Sequence, residues 1–127
     1  MAATQGPCIS SRTEKITSKN VHALGFVDKN LFTPQLNFVF GVAQPDKDAV
    51  VALPHLKPQF YSKPEDANLY ELSVLKEALH ELGHVFQLGH CTNHCVMRFS
   101  NRFSQTDLKP AEFCEDCYGD LQAITQR

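Results

Sequence analysis

The sequence predicts one small α+β domain, close to α/β in character, with a twisted mixed sheet packed on a long helix and a cysteine-rich lobe closing the C-terminus. Three observations carry this. Val- and Phe-rich runs fall between residues 21 and 53, no proline interrupts residues 68–88, and four cysteines are confined to residues 91–117. A chain of 127 residues suits a single core and leaves no room for a (β/α)₈ barrel or for paired nucleotide and substrate domains. The whole chain, 1–127, is therefore one domain with three zones: 1–20, 21–89 and 90–127.

The first zone is rich in Ser, Thr and Lys and is expected to be poorly ordered or to carry one short helix. Cys8 stands there without partners, as a free thiol. In the second zone, VHALGFV, LNFVFGV and AVVAL read as strands. Pro45, Asp46 and Asp48 suit a turn, so the last two strands form an antiparallel hairpin, with AVVAL at or near a sheet edge. Pro54, Pro58 and Pro64 make the next segment irregular.

A helix follows from about Asn68 or Leu69 to Leu88, with Asp66 and Asn68 as capping candidates. At about 100° per residue, Leu72, Leu75, Leu79, Leu82 and Phe86 share one face, and Ser73, Glu77, His80 and His84 the opposite one. The leucines are expected to grip the sheet. Beyond Gly89 the chain turns polar, with Pro110 and Gly119 as breakers and one more short helix at the end.

Composition narrows the partners. At 43% hydrophobic and 20% charged, with a formal net charge of −2, the chain has no general attraction for nucleic acid or anionic lipid. A protein, peptide or small molecule is expected instead. The longest apolar run, Phe38 to Ala43, falls far short of the roughly 20 residues of a spanning helix. The start, MAATQGPCIS, has no basic segment followed by an apolar one, so a cytoplasmic protein is expected.

The strongest chemical signal is His80-Glu81-Leu82-Gly83-His84. Imidazoles four apart on a helix lie one above the other, at the spacing that lets both reach one Zn²⁺. Glu81, one position round, can touch a water activated by that metal without binding the metal itself. His90 supplies a third imidazole, and Gly89 before it can take the positive φ that swings the chain back. Three neutral imidazoles leave one coordination position open, as catalytic zinc requires. Taken alone, the pentapeptide also fits a solvated helix face.

A second constellation begins at the next residue. Cys91, Cys95, Cys114 and Cys117 can close a tetrahedral four-thiolate zinc site, which is structural because no position remains for water. In a reducing compartment such a cluster binds metal rather than forming disulfides. His94 could replace one thiolate, or stand exposed.

HELGHVFQLGHC, CVM and FCEDC together resemble the archaemetzincins, a branch of the metzincin zinc proteases with a four-cysteine zinc site after the catalytic one. The resemblance runs from about Val21 to the C-terminus, including LFTPQLNFVFG and AVVAL. It implies two Zn²⁺ per chain, with His80, His84 and His90 as catalytic ligands and Glu81 as general base. Cys91, Cys95, Cys114 and Cys117 would be the structural ligands. Met97, seven residues past His90, matches the family's Met-turn, an apolar floor beneath the histidines.

The chain departs from that pattern at three places. Gln87 stands where the family has its helix-ending glycine, so it must enter a left-handed conformation or extend the helix, unless Gly89 takes over the turn. Three residues rather than four separate Cys91 from Cys95. The chain ahead of the helix is short, lacking an opening strand and helix, so apolar surface and a sheet edge are expected to be exposed and open to self-association.

The activity these observations imply is zinc-dependent peptide hydrolysis, with a peptide or protein substrate adding as a strand to AVVAL. Two alternatives stand beside it. A metal-dependent endoribonuclease could use the same histidine spacing, although such enzymes lack Glu81 and the cysteines. A non-catalytic zinc-binding interaction module would suit Gln87 and the short N-terminus.

Overall fold

The computed structural model describes residues 22–33, 36–100 and 103–125. The expectations for residues 1–20 and Cys8 lie outside them. Strand β1 (Leu24–Val27) runs parallel to β5 (Ala49–Ala52), with Leu24 opposite Ala49 and Val27 opposite Ala52. On the other side of β5 lies β4 (Gly41–Ala43), antiparallel, with Gly41 opposite Val51. The expected hairpin through Pro45–Asp48 is present. A separate ribbon pairs β2 (Leu31–Thr33) with β3 (Leu36–Val39).

AVVAL is therefore not an edge. It is the central strand, and all four residues of β5 are buried. The signal was its continuous apolar run, which marks a strand covered on both faces rather than a half-solvated one. The edges of this sheet are β1 and β4.

Helix α1 (Ala67–Val85) begins at Asp66, whose Oδ1 accepts the Leu69 N–H at 3.0 Å. Its orientation overturns the expected leucine grip. Leu72 and Leu75 are 42% and 48% exposed, while Ser73, Lys76, Glu77, Ala78, His80 and Glu81 are buried. A polar face can go inside where it finds partners, and here it does: Lys76 Nζ donates to the Thr106 and Asp107 carbonyls, and Thr106 Oγ1 donates to Glu77. Those partners lie about 30 residues downstream, as the separations of 29 to 31 show, beyond the reach of helical periodicity.

Phe40, Val51, Leu56 and Ala78 fill the space between sheet and helix. Leu31, Val50 and Ala52 form a second cluster, and Leu88, Cys95, Val96, Met97 and Cys117 a third inside the C-terminal lobe. The proline segment forms two 3₁₀ turns, Pro54–Leu56 and Pro58–Tyr61. Two short helices, α2 (Phe103–Leu108) and α3 (Glu115–Thr125), complete the described chain. No described helix is long and apolar enough to cross a membrane.

Candidate metal centres and active site

His80 and His84 stand one turn apart on α1, and the chain beyond the helix brings His90 back to them. Ring centroids are 4.7 Å apart for His80–His84, 4.9 Å for His84–His90 and 5.4 Å for His80–His90. One ligand nitrogen from each lies within 4.8 Å of the others, close enough to share one small cation.

The hydrogen bonds fix which nitrogen is free. His80 Nδ1 and His84 Nδ1 sit 2.8 Å from the Val96 and Leu88 carbonyls, which can only accept. Each Nδ1 therefore carries the proton, and each Nε2 keeps its lone pair. The two Nε2 atoms then face one another at 3.1 Å, lone pair against lone pair. A bound cation turns that repulsion into attraction, so the residues present fit a zinc ion. Burial, aided by the Lys109 charge, pushes the His80 pKa down to about 3, and burial lowers those of His84 and His90. All three rings are neutral near pH 7, the form that ligates.

Glu81 is 6% exposed and lines a cavity of about 190 Å³ with the three histidines. Phe38, Phe40 and Phe99 contribute its apolar walls. Burial, reinforced by neighbouring Glu77 and opposed by Lys109, raises the Glu81 carboxyl to about 8. Gly41 makes room for it, since a Cβ there would lie 2.8 Å from Glu81 Cγ and 2.9 Å from its Oε2. Sequence reading passed over Gly41 because LNFVFGV gives no hint that the helix presses on it.

The turn that aims His90 is made by Gln87, with φ 72°, and no described glycine has a positive φ. Gly89 does not take over. Leu88 N–H donates to Gly83 O at 2.9 Å and Gln87 N–H to His84 O at 2.9 Å, closing the helix end. The β4–β5 turn supports this conformation: Asp46 N–H donates to Val85 O at 2.8 Å, and the Gln87 side-chain amide donates to the Asp46 carboxylate.

Cys91, Cys95, Cys114 and Cys117 also converge, with ligand sulfurs within 4.8 Å of one another and none in a disulfide. Backbone N–H groups already point at sulfur: Asn93 to Cys91 at 3.4 Å, and Met97 and Cys114 to Cys95 at 3.4 and 3.2 Å. Such donors favour thiolates. Hydrogen bonds from the Asn93 side chain and the Cys117 backbone hold the Cys114 thiol down to about 6. Burial pushes the Cys117 and Cys91 thiols upward, the latter against the Asn93 hydrogen bond. The donor set is that of a closed zinc site, and the three-residue gap between Cys91 and Cys95 still reaches. His94 is exposed and outside the cluster.

Met97 is fully buried, and its carbonyl accepts the Cys91 N–H at 3.0 Å. A Cβ at Gly83 would run into its sulfur, so the glycine within HELGH is the notch that seats this methionine under the helix. Sequence reasoning also missed Lys109, whose buried ammonium lies 3.3 Å from Glu77 Oε1 and 3.4 Å from His80 Nδ1.

The chain matches the family described as Peptidase family M54 over residues 10–123. It is 50% identical over 102 residues to an archaemetzincin of Pyrococcus horikoshii, covering 79% of this chain and 54% of that protein. It thus spans about half the length of the curated relatives it matches. Among solved structures, an archaemetzincin from Methanopyrus kandleri superposes with a TM-score of 0.83 at 37% identity, over 94% of this chain and 64% of that one. A zinc-dependent peptidase from Methanocorpusculum labreanum gives 0.74 at 36% identity, over 77% and 52%.

Proposed function

Because the chain belongs to peptidase family M54, we propose that it is a zinc-dependent peptidase in which Glu81 activates the attacking water. The observation that carries this reading is the meeting of three imidazole rings beside the buried Glu81 carboxyl in one cavity. His80, His84 and His90 would hold a catalytic zinc, and Cys91, Cys95, Cys114 and Cys117 a structural one. When bound, the catalytic ion supplies Lewis acidity that polarises the peptide carbonyl and makes water a usable nucleophile near neutral pH.

The chain's own residues do the rest. With the charge of a bound cation nearby to favour its carboxylate form, Glu81 would take the proton of the attacking water and return it to the amide nitrogen as the C–N bond breaks. The walls of Phe38, Phe40 and Phe99 limit bulk water around that transfer. An extended peptide or protein segment would add to the open side of β4, whose Gly41 already borders Glu81. The need for four reduced thiols supports action in the cytoplasm.

The test compares wild type with Glu81→Ala and Glu81→Gln on a peptide library read by mass spectrometry, with zinc counted in each sample. Hydrolysis is expected to fall by about 10²–10⁴-fold while two zinc ions per chain remain. Undiminished turnover by either variant would remove Glu81 from the reaction.

A further inference from the structure

The α1 helix carries His80 and His84, the Met97 turn beneath it supplies the Val96 carbonyl that holds the His80 ring, and one buried lysine joins helix and turn. Lys109 is 1% exposed along its side chain and ion-paired to Glu77, itself 3% exposed, at 3.3 Å. Its Nζ also donates to the Arg98 carbonyl at 3.0 Å. Arg98 follows Met97 directly, and its own N–H donates to Cys95 O at 3.0 Å. The adjacent Val96 carbonyl is the acceptor that fixes the His80 ring.

Because His80 Nδ1 gives its proton to Val96, the Lys109 ammonium 3.4 Å away is a neighbour of that nitrogen and not its hydrogen-bond partner. The lysine's protons go to Glu77 on the helix and to Arg98 on the turn. Thr106 Oγ1 reaches the same Glu77 oxygen at 3.3 Å.

Burying such a pair is expensive, and well-packed apolar residues often hold a core at least as well. What an apolar pair cannot do is fix the direction of a carbonyl. On this ground, and resting on the zinc-site reading above, we propose that Lys109 is a positioning residue. By tying the Arg98 carbonyl to Glu77, it sets the Met97 turn so that Val96 holds the His80 imidazole with Nε2 aimed at the metal position.

The pair is neutral as a whole, which makes it separable from simple electrostatics. Removing both partners changes no net charge beside the site, and losing the ammonium 3.4 Å from His80 would by itself favour a cation there, so a weaker metal affinity reports geometry. The experiment uses the zinc-loaded full chain and the double variant Glu77→Leu/Lys109→Met, with Glu77→Gln/Lys109→Met as a second neutral pair in case leucine does not pack. Zinc affinity at the histidine site is measured by chelator competition, the cysteine-bound ion being counted separately, and thermal unfolding is followed alongside.

The expected result is a folded protein that keeps its cysteine-site zinc and binds the other ion about 10- to 100-fold more weakly, the range seen when partners of metal-ligating histidines are lost. Native affinity in either folded double variant overturns the role given to Lys109 and leaves the peptidase reading intact. A wild-type protein that binds one ion only, at the cysteines, overturns both.

Discussion

Gln87 shows how a single residue is held in a backbone conformation it does not prefer. Its left-handed φ strains a residue with a Cβ, and the Asp46 turn offsets that strain by accepting from the Gln87 side chain, 41 residues away in sequence, and by donating its N–H to Val85 O at the helix end. Gln87→Ala keeps the strain and loses the side-chain bond, so denaturant unfolding is expected to show a loss of about 1 kcal/mol. Gln87→Gly loses the same bond but relieves the strain, and should unfold near the wild-type midpoint. At His55 the prediction concerns pH. Its ring stacks on Phe38 at 3.8 Å, and burial lowers its pKa from 6.5. The unfolded chain therefore takes the proton more readily, so the stability His55 contributes is complete above pH 6.5 and is lost as pH falls toward the lowered folded value. His55→Phe, which preserves the stack, should flatten that part of the stability–pH profile of the zinc-loaded protein. The histidines and cysteines were legible as residues because metal ligation dictates type and spacing together. Gly41 and Gly83 were not, because their task is to be absent from a space that only the fold defines.

At the scale of elements, the start of α1 could be read from its cap, but neither its end at Val85, short of the expected Leu88 because Gln87 turns left-handed, nor its rotation could. Helical periodicity sorts apolar from polar residues and assumes the apolar set goes inside. In α1 the inside is the site, and Lys109, Thr106 and backbone carbonyls partner Lys76, Glu77 and His80 on its polar face, while the Ser73 hydroxyl finds no partner among the described residues. Lysine at both Leu72 and Leu75 is thus expected to change unfolding free energy by no more than about 0.5 kcal/mol each, where a buried leucine stripe would lose about 2–5 kcal/mol per site. Thermal and urea unfolding of Leu72→Lys/Leu75→Lys decides between the two orientations. Strand β5 teaches the same lesson: AVVAL was recognisable as a strand, while its central place depended on β1 pairing with it across 25 residues.

For the molecule as a whole, the two candidate metal sites are not independent parts. The C-terminal lobe gathers Leu88, Cys95, Val96, Met97 and Cys117 into one small buried cluster, a core that the proposed cysteine-site ion would reinforce. Cys114→Ser or Cys117→Ser should therefore make residues 90–125 sensitive to limited proteolysis and also lower zinc at the histidines, although no histidine is altered. Retention of a full histidine-site ion in a protease-sensitive lobe would contradict this coupling. His90 and Cys91 are neighbours in sequence, and the Cys91 N–H is bonded to the carbonyl of the methionine that underlies the helix. One consequence reaches beyond folding: a peroxide or other electrophile that captured those sulfurs would loosen the histidine cluster from a distance, so the proposed peptidase would answer to the oxidation state of its surroundings.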